Sequence, residues 1–142
     1  MFSINTYNAL DIATLLTRYY GERIVSYNEL FEFCFATKET LDFLLKTLED
    51  RKIIAQPHGN GNGYTLIKRP DEVKILEIIE PFDKDIFYDH FFNKEGILIS
   101  ERAKRFYMNN RSIQQVLTKR LKNQSLSKWC QKISGQLPYE LG

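Results

Sequence analysis

The sequence predicts a mainly α-helical fold with one small β-hairpin: a helix-turn-helix, a hairpin directly behind it, and a long C-terminal helix. Three observations predict this architecture. Apolar residues recur at helical spacing through the first fifty residues. A loop rich in glycine and asparagine then separates two short β-compatible runs. Beyond residue 98 the apolar spacing becomes that of a heptad repeat.

Length and composition are those of an ordinary globular domain. The chain has 142 residues, of which 43% are hydrophobic and 27% are charged. No apolar run approaches the ~20 residues that span a bilayer, and the first residues do not resemble a signal peptide. We therefore expect a cytoplasmic protein without membrane association. Cys34 and Cys130 lie far apart, and we expect both to be small buried hydrophobes.

Three helices are predicted in the N-terminal part. The first covers Asn5–Thr17, where small and branched apolar residues share one face. Ser26 and Glu29 form a capping box that starts a second, short helix. Thr37 is a further N-cap, and leucines at helical spacing extend the third helix to about Arg51. Two short helices joined by a short turn make a helix-turn-helix.

A change to strand-like spacing follows. Residues 53–56 and 64–67 are β-compatible and flank the loop 58–63, whose Asn-Gly pairs supply the positive φ of a hairpin loop. A phosphate-binding glycine loop would open a helix within a βαβ unit, and none follows here. A short helix is then predicted to start at Pro70-Asp71-Glu72 and to end before Pro81.

Four stretches between residues 41 and 73 carry a family resemblance. They read Leu41-x-x-Leu44-Leu45-x-x-Leu48, Ile53-Ile54, His58-Gly59-x-x-Asn62-Gly63-Tyr64-x-Leu66 and Pro70-x-x-Val73. Together they resemble, without gaps, the Rrf-two-type transcription regulators, closely over residues 5–80 and loosely beyond. The resemblance implies a homodimeric winged helix-turn-helix. Its recognition helix, the third helix, would enter the major groove of double-stranded DNA, and its wing, the hairpin, would face the minor groove.

The chain departs from the family at two places that affect charge and backbone. The Arg-Gly that the family usually has at the wing entrance is His58-Gly59, which weakens a cationic contact because histidine is mostly neutral at pH 7. The small Ala-Gly pair that usually follows the recognition helix is Arg51-Lys52.

Nine residues are predicted to contact DNA, from the start and exposed face of the recognition helix, the wing and its exit. They are Thr37, Lys38, Thr40, Lys46, Thr47, His58, Asn60, Asn62 and Lys68.

Glu39 and Asp42 could accept from a cytosine amine, yet phosphates would repel both. The alternative is an ordinary solvated helix face, since residues 1–80 hold 9 Lys and Arg against 12 Asp and Glu, a net charge of −3. Residues 102–132 hold nine basic and no acidic residues, either an anion-facing surface or a solvated one.

Neither a cofactor nor a catalytic site is predicted. Cluster-binding members of the family carry three closely spaced cysteines just past the wing, whereas residues 81–97 contain none. Asp85, Asp89 and His90 are expected to lie on a helix surface and not to bind metal. The five aromatic residues of that window either pack in the core or line a pocket for a small-molecule effector. Neither histidine nor cysteine has the partners of a catalytic group, so we expect no enzyme.

The C-terminal segment predicts assembly as a homodimer. A helix over about residues 100–123 would present a seam in which a buried asparagine fixes the register. The seam residues are Ile99, Ala103, Phe106, Asn110, Ile113, Leu117 and Leu121. The alternative is two helices broken at Asn109-Asn110 that fold back on their own subunit. Ser125 then caps a last turn or two.

These elements divide the chain into four parts: a winged helix-turn-helix domain over residues 1–80, an aromatic-rich connector over 81–99, dimerisation helices over 100–133 and a flexible tail over 134–142. Two functions of different class fit this organisation. The first is a sequence-specific DNA-binding regulator without an iron-sulfur cluster. The second is a winged helix that has lost its operator and binds a protein or a small ligand.

Overall fold

The computed structural model describes residues 2–59, 61–83 and 115–136. Within them, helix α1 lies at the centre and packs against α2, α3, β2, α4 and α6. The elements in chain order are α1 (Ile4–Tyr19), α2 (Tyr27–Phe33), α3 (Lys38–Asp50), β1 (Ile54–Ala55), β2 (Thr65–Leu66), α4 (Ile75–Ile79), α5 (115–123) and α6 (Leu126–Gln136).

The first three helices confirm the sequence prediction, as do the N-caps predicted for α2 and α3. The Ser26 side chain accepts from the Glu29 N–H, and the Glu29 carboxylate accepts from the Ser26 N–H, which completes the capping box. The Thr37 side chain accepts from the Thr40 N–H at the start of α3. Because capping depends on residues only three positions apart, the sequence suffices to locate these helix starts.

The N-terminus of α1 is held by a carboxylate from the other end of the domain. The Asp83 carboxylate accepts from the Ser3 N–H at 3.0 Å and from the Ser3 hydroxyl at 3.3 Å. It also accepts from the hydroxyl of Thr6, a buried residue. An anion at a helix N-terminus satisfies free N–H groups and stabilises the helix dipole. This contact ties the residues after α4 to the start of α1.

The hairpin pairs with a third segment that the sequence did not predict. Strands β1 and β2 are antiparallel, with Ile54 opposite Leu66. Val25, in the loop before α2, forms a bridge to Tyr64 through hydrogen bonds of 2.9 and 2.8 Å in the two directions. The wing is therefore joined to the beginning of the helix-turn-helix.

Helix α4 starts later than the sequence predicted. Residues Pro70–Glu72, predicted as its first turn, form a turn outside the helix, and α4 begins at Ile75. The reason is tertiary: the Val73 carbonyl accepts from the Leu126 N–H at 2.7 Å, and Lys74 forms a bridge with Ser125. Backbone groups engaged with a distant segment are not available to a helix.

The C-terminal helices contribute to the same core as the N-terminal domain. Ser125 caps α6, since its hydroxyl accepts from the Lys128 N–H at 3.2 Å, and Leu126 is fully buried. Helix α6 extends to Gln136, which is longer than the turn or two predicted. Of the predicted seam, Leu121 is buried in its own chain and Leu117 packs against the core. The other seam residues, from Ile99 to Ile113, lie outside the described residues.

Within the ranges that the structure describes, no helix is both long enough and apolar enough to cross a membrane.

Candidate nucleic-acid interface

The exposed face of α3 lies between α2 on one side and the wing on the other. Side-chain contacts join the three elements. The Tyr27 hydroxyl of α2 donates to the Asp42 carboxylate of α3 at 2.7 Å. On the other side, the Gln56 side-chain amide donates to the Glu49 carboxylate of α3 at 3.0 Å, and its oxygen accepts from the Gly61 N–H at 2.7 Å. The helix-turn-helix and the wing therefore form one connected surface.

The start of the helix-turn-helix is stabilised by charge. Arg23 stacks on the Tyr19 ring at 3.9 Å and pairs with Glu29 at 2.8 Å. The Arg23 hydrogen bond, together with that from the Ser26 N–H, lowers the pKa of Glu29 from 4.5 to about 2. Glu29 therefore stays ionised and keeps α2 capped at neutral pH.

The two lysines predicted to contact DNA are available on α3. Lys38 is exposed and has no side-chain partner in the described parts of the chain. Lys46 pairs with Asp50 at 3.3 Å, but both side chains are mostly exposed, and such an i,i+4 pair contributes only about 0.5 kcal/mol. A phosphate or a base edge could replace Asp50 as the partner of Lys46.

The threonines predicted to contact DNA are used by the helix itself. Thr37 is the N-cap of α3, and its hydroxyl lies 3.1 Å from that of Thr40. The Thr47 hydroxyl donates to the Phe43 carbonyl at 2.8 Å. Their side-chain groups have local partners that DNA contact would have to displace.

Carboxylates and an aromatic side chain complete the exposed face. Burial, and then the hydrogen bond to Asp42, raises the pKa of Tyr27 to about 12, so Tyr27 remains a donor that orients this carboxylate. Phe43 is exposed, and the Phe82 ring packs edge-on against it at 6.2 Å. The sequence reasoning did not identify Phe82, because its contact with α3 joins residues far apart in the chain.

The predicted wing residues have different surroundings. The Asn62 side-chain amide donates to the His58 carbonyl at 2.7 Å, so Asn62 shapes the loop. The His58 side chain is exposed. Asn60 lies outside the described residues. Lys68, at the wing exit, pairs with Glu77 of α4 at 3.1 Å.

Similarity to known proteins agrees with this geometry. The Rrf2 family model, described as "Iron-dependent Transcriptional regulator", matches residues 2–132. No curated protein matches the sequence. Among solved structures, the global cysteine regulator CymR of B. subtilis has a TM-score of 0.72 and 21% identity, covering 92% of this chain and 96% of that chain. IscR of T. potens has a TM-score of 0.69 and 18% identity, covering 98% of this chain and 93% of that chain.

The cysteines do not fit the iron that the family description implies. Cys34 is buried, with its thiol directed at the Asn8 carbonyl, and burial raises its pKa to about 12. Cys130 lies on α6, where its thiol approaches the Thr14 hydroxyl at 3.9 Å, and burial raises its pKa as well. Thiolates hold iron-sulfur clusters, and both groups favour the protonated thiol. In the described ranges no three His, Cys, Asp or Glu residues are grouped to hold a metal ion.

Proposed function

The chain belongs to the Rrf2 family of transcriptional regulators, which are not enzymes. We propose that it is a cytoplasmic, sequence-specific, DNA-binding transcriptional regulator. It acts as a homodimer on double-stranded DNA. In each subunit α3 enters the major groove, and the wing lies toward the minor groove.

The observation that carries this proposal is the connected surface of α2, α3 and the wing. To read bases in the major groove, a helix must be held in a fixed position relative to the protein groups that contact the DNA phosphates. The Tyr27–Asp42 and Gln56–Glu49 hydrogen bonds supply that rigidity, one on each side of α3. Lys38 and Lys46 then provide the cations that a base edge or a phosphate requires.

Binding-site selection from random duplexes tests the proposal. We expect a near-palindromic motif with half-sites one or more helical turns apart. A dimer that neutralises roughly six to eight phosphates has a log-log salt slope of about −5 to −7. Selection that enriches no motif at low salt would overturn the regulator hypothesis.

Lysine variants separate base reading from phosphate contact. Lys38→Ala or Lys46→Ala relaxes preference at one position per half-site, at about 1 to 3 kcal/mol, if the side chain reads a base. If the side chain touches a phosphate, the variant flattens the salt slope without changing the motif. Lys74→Ala, which removes an exposed lysine outside α3 and the wing, is the matched control and should leave the motif unchanged.

Charge on the recognition helix favours a second candidate function, a module that binds a protein or a small ligand and not DNA. Helix α3 holds two lysines against four acidic residues, and Phe35, in the turn before it, is 97% exposed. Exposed aromatic residues are enriched in protein interfaces. Glu39→Ala discriminates the two functions. In a regulator it either strengthens nonspecific DNA binding, because Glu39 repels phosphates, or lowers specificity, because Glu39 reads a base. A module that does not bind DNA shows neither change.

A further inference from the structure

A cavity of about 120 Å³ opens beside the C-terminal end of α3. Three parts of the chain surround it: the turn that follows α3, Lys68, which follows the wing, and helix α4. The apolar part of its lining comes from Ile53 and Val73, which are both buried. A water molecule occupies about 30 Å³ of liquid, so the cavity suits a ligand of only a few heavy atoms.

Charges of both signs line this cavity from separate elements. Arg51 and Lys52 come from the turn after α3, and Lys68 follows β2, whereas Glu77 and Glu80 belong to α4 and its C-cap. Three cations therefore face two carboxylates.

One of these cations and one carboxylate are already partnered. Lys68 pairs with one Glu77 oxygen at 3.1 Å, and the other Glu77 oxygen accepts from the Lys74 N–H at 3.1 Å. By contrast, the side chains of Arg51, Lys52 and Glu80 have no ion pair or hydrogen bond with any residue that the structure describes. Two cations, Arg51 and Lys52, and one carboxylate, Glu80, are therefore available to bind a ligand in this cavity.

The backbone holds one of the unpartnered cations in an unfavourable conformation. Lys52 has a φ of 60°, in the left-handed region where glycine is the usual residue. Hydrogen bonds from the Lys52 N–H to Glu49 and from the Ile53 N–H to Leu48 form the Schellman turn that enforces this φ. The end of α3 therefore fixes the backbone conformation of Lys52.

We propose that this cavity binds a small α-amino acid. The Arg51 guanidinium and the Lys52 ammonium take the ligand carboxylate, since arginine pairs with carboxylates through two parallel N–H donors. The Glu80 carboxylate takes the ligand ammonium. A short ligand side chain lies against Ile53 and Val73.

The effect on DNA rests on the proposed function. Arg51 and Lys52 are not among the nine residues predicted to contact DNA, but they directly follow the recognition helix, and in the proposed complex cations at this place lie near the DNA phosphates. A ligand carboxylate that pairs with Arg51 and Lys52 competes with phosphates for these side chains, so DNA affinity falls about tenfold and the salt slope becomes shallower.

Calorimetric titration of the full chain, in the absence of DNA, with each of the standard L-amino acids tests the site. At least one amino acid with a small side chain should bind in the millimolar range or tighter. The corresponding carboxylic acid without the amino group, and the amine without the carboxylate, should each bind about tenfold more weakly, because the acid leaves Glu80 unpaired and the amine leaves Arg51 and Lys52 unpaired.

Variants assign the binding to this cavity. Arg51→Ala combined with Lys52→Gly, which suits the positive φ, should weaken binding at least about tenfold, and Glu80→Gln should remove the preference for the amino acid over its acid. Lys119→Ala, which removes an exposed lysine of α5, is the matched control and should bind like the parent chain. Absence of binding by every amino acid, or equal binding by the double variant, overturns the inference.

DNA titrations distinguish failure of the proposed amino-acid site from failure of the proposed function in DNA binding. Ligand binding with unchanged DNA affinity refutes the regulatory coupling and supports the site. A chain that binds its amino acid yet selects no DNA motif refutes the regulator hypothesis and supports the site.

Discussion

The Glu29 carboxylate makes a hydrogen bond and an ion pair at the start of α2, and both contacts need its ionised form. Its carboxylate accepts from the Ser26 N–H at 2.7 Å and pairs with Arg23. Because these contacts hold its folded pKa at about 2, against 4.5 for a free side chain, the folded state binds fewer protons than the unfolded state in that range. The contribution to stability is therefore complete above pH 4.5 and is lost as the pH falls toward 2.

Replacing Glu29 should remove this part of the pH dependence. We expect Glu29→Gln to lower the free energy of unfolding at pH 6 and to narrow its difference from the parent chain as the pH approaches 2. Urea unfolding followed by circular dichroism at several pH values between 2 and 6 measures this. A constant difference between the two proteins over that interval would contradict the assigned pKa.

Lys52 is the one non-glycine residue with positive φ in the described parts of the chain. A lysine in the left-handed region costs about 1 kcal/mol or more relative to glycine. A cation at the end of α3 is favourable for the helix dipole, which offsets part of this cost.

Lys52→Gly should therefore raise the free energy of unfolding by about 0.5 to 1 kcal/mol, since relief of the strain exceeds the lost dipole interaction. The same substitution inside the helix has the opposite sign: Lys46→Gly should lower stability by about 1 kcal/mol, because glycine is a poor helix former. Equal effects of the two variants in urea unfolding would refute the strain at Lys52.

At the scale of elements, the wing depends on a close approach between its loop and the segment before α2. A Cβ atom at Gly63 would lie 2.8 Å from the Ile24 Cδ1 and 3.2 Å from the Val25 carbonyl oxygen, and Gly63 has a φ of 111°. Gly61 also has a positive φ, 85°, but a Cβ there would meet nothing within 4 Å. A substitution at Gly61 therefore introduces backbone strain alone, whereas a substitution at Gly63 introduces both strain and steric contact.

Gly63→Ala should lower the free energy of unfolding by about 2 kcal/mol or more, from strain and contact together. Gly61→Ala, its control, should cost about 1 kcal/mol from backbone strain alone. Urea unfolding measures both. If the two variants lose equal stability, the close approach of Gly63 to Ile24 does not limit the wing.

At the scale of the whole molecule, assembly is the first property to test. The heptad seam predicts a homodimer, so Phe106→Glu combined with Ile113→Glu should give monomers, because the substitutions place like charges in an apolar seam. Sedimentation equilibrium measures the mass. Phe35→Glu, which changes an exposed residue outside the seam, is the control and should remain dimeric. A monomeric parent chain or a dimeric double variant would refute the seam.

Iron content is the second property of the whole molecule. Two protonated, separated thiols are poor ligands, so protein purified without oxygen should be colourless, without charge-transfer absorption and without stoichiometric iron. Metal analysis and the visible spectrum decide this. A brown protein containing iron would contradict this prediction, because it would show that the chain binds a cluster without three closely spaced cysteines.

The sequence alone determined the starts of α2 and α3, the hairpin and the family, because each depends on short-range patterns. The capping box at Ser26, the N-cap at Thr37 and the Asn-Gly loop act within a few residues. The availability of Lys38 and Lys46 on α3 also follows from helical periodicity, since the leucines occupy the buried face.

The tertiary structure decided which polar side chains are free and where irregular segments go. Pairing of residues 73–75 with 124–126 moved the start of α4, and the Val25–Tyr64 bridge joined the wing to the helix-turn-helix. The cavity brings together Arg51, Lys68 and Glu80 from three elements. Contacts between residues far apart in sequence depend on the packing of the whole chain, which no local pattern specifies.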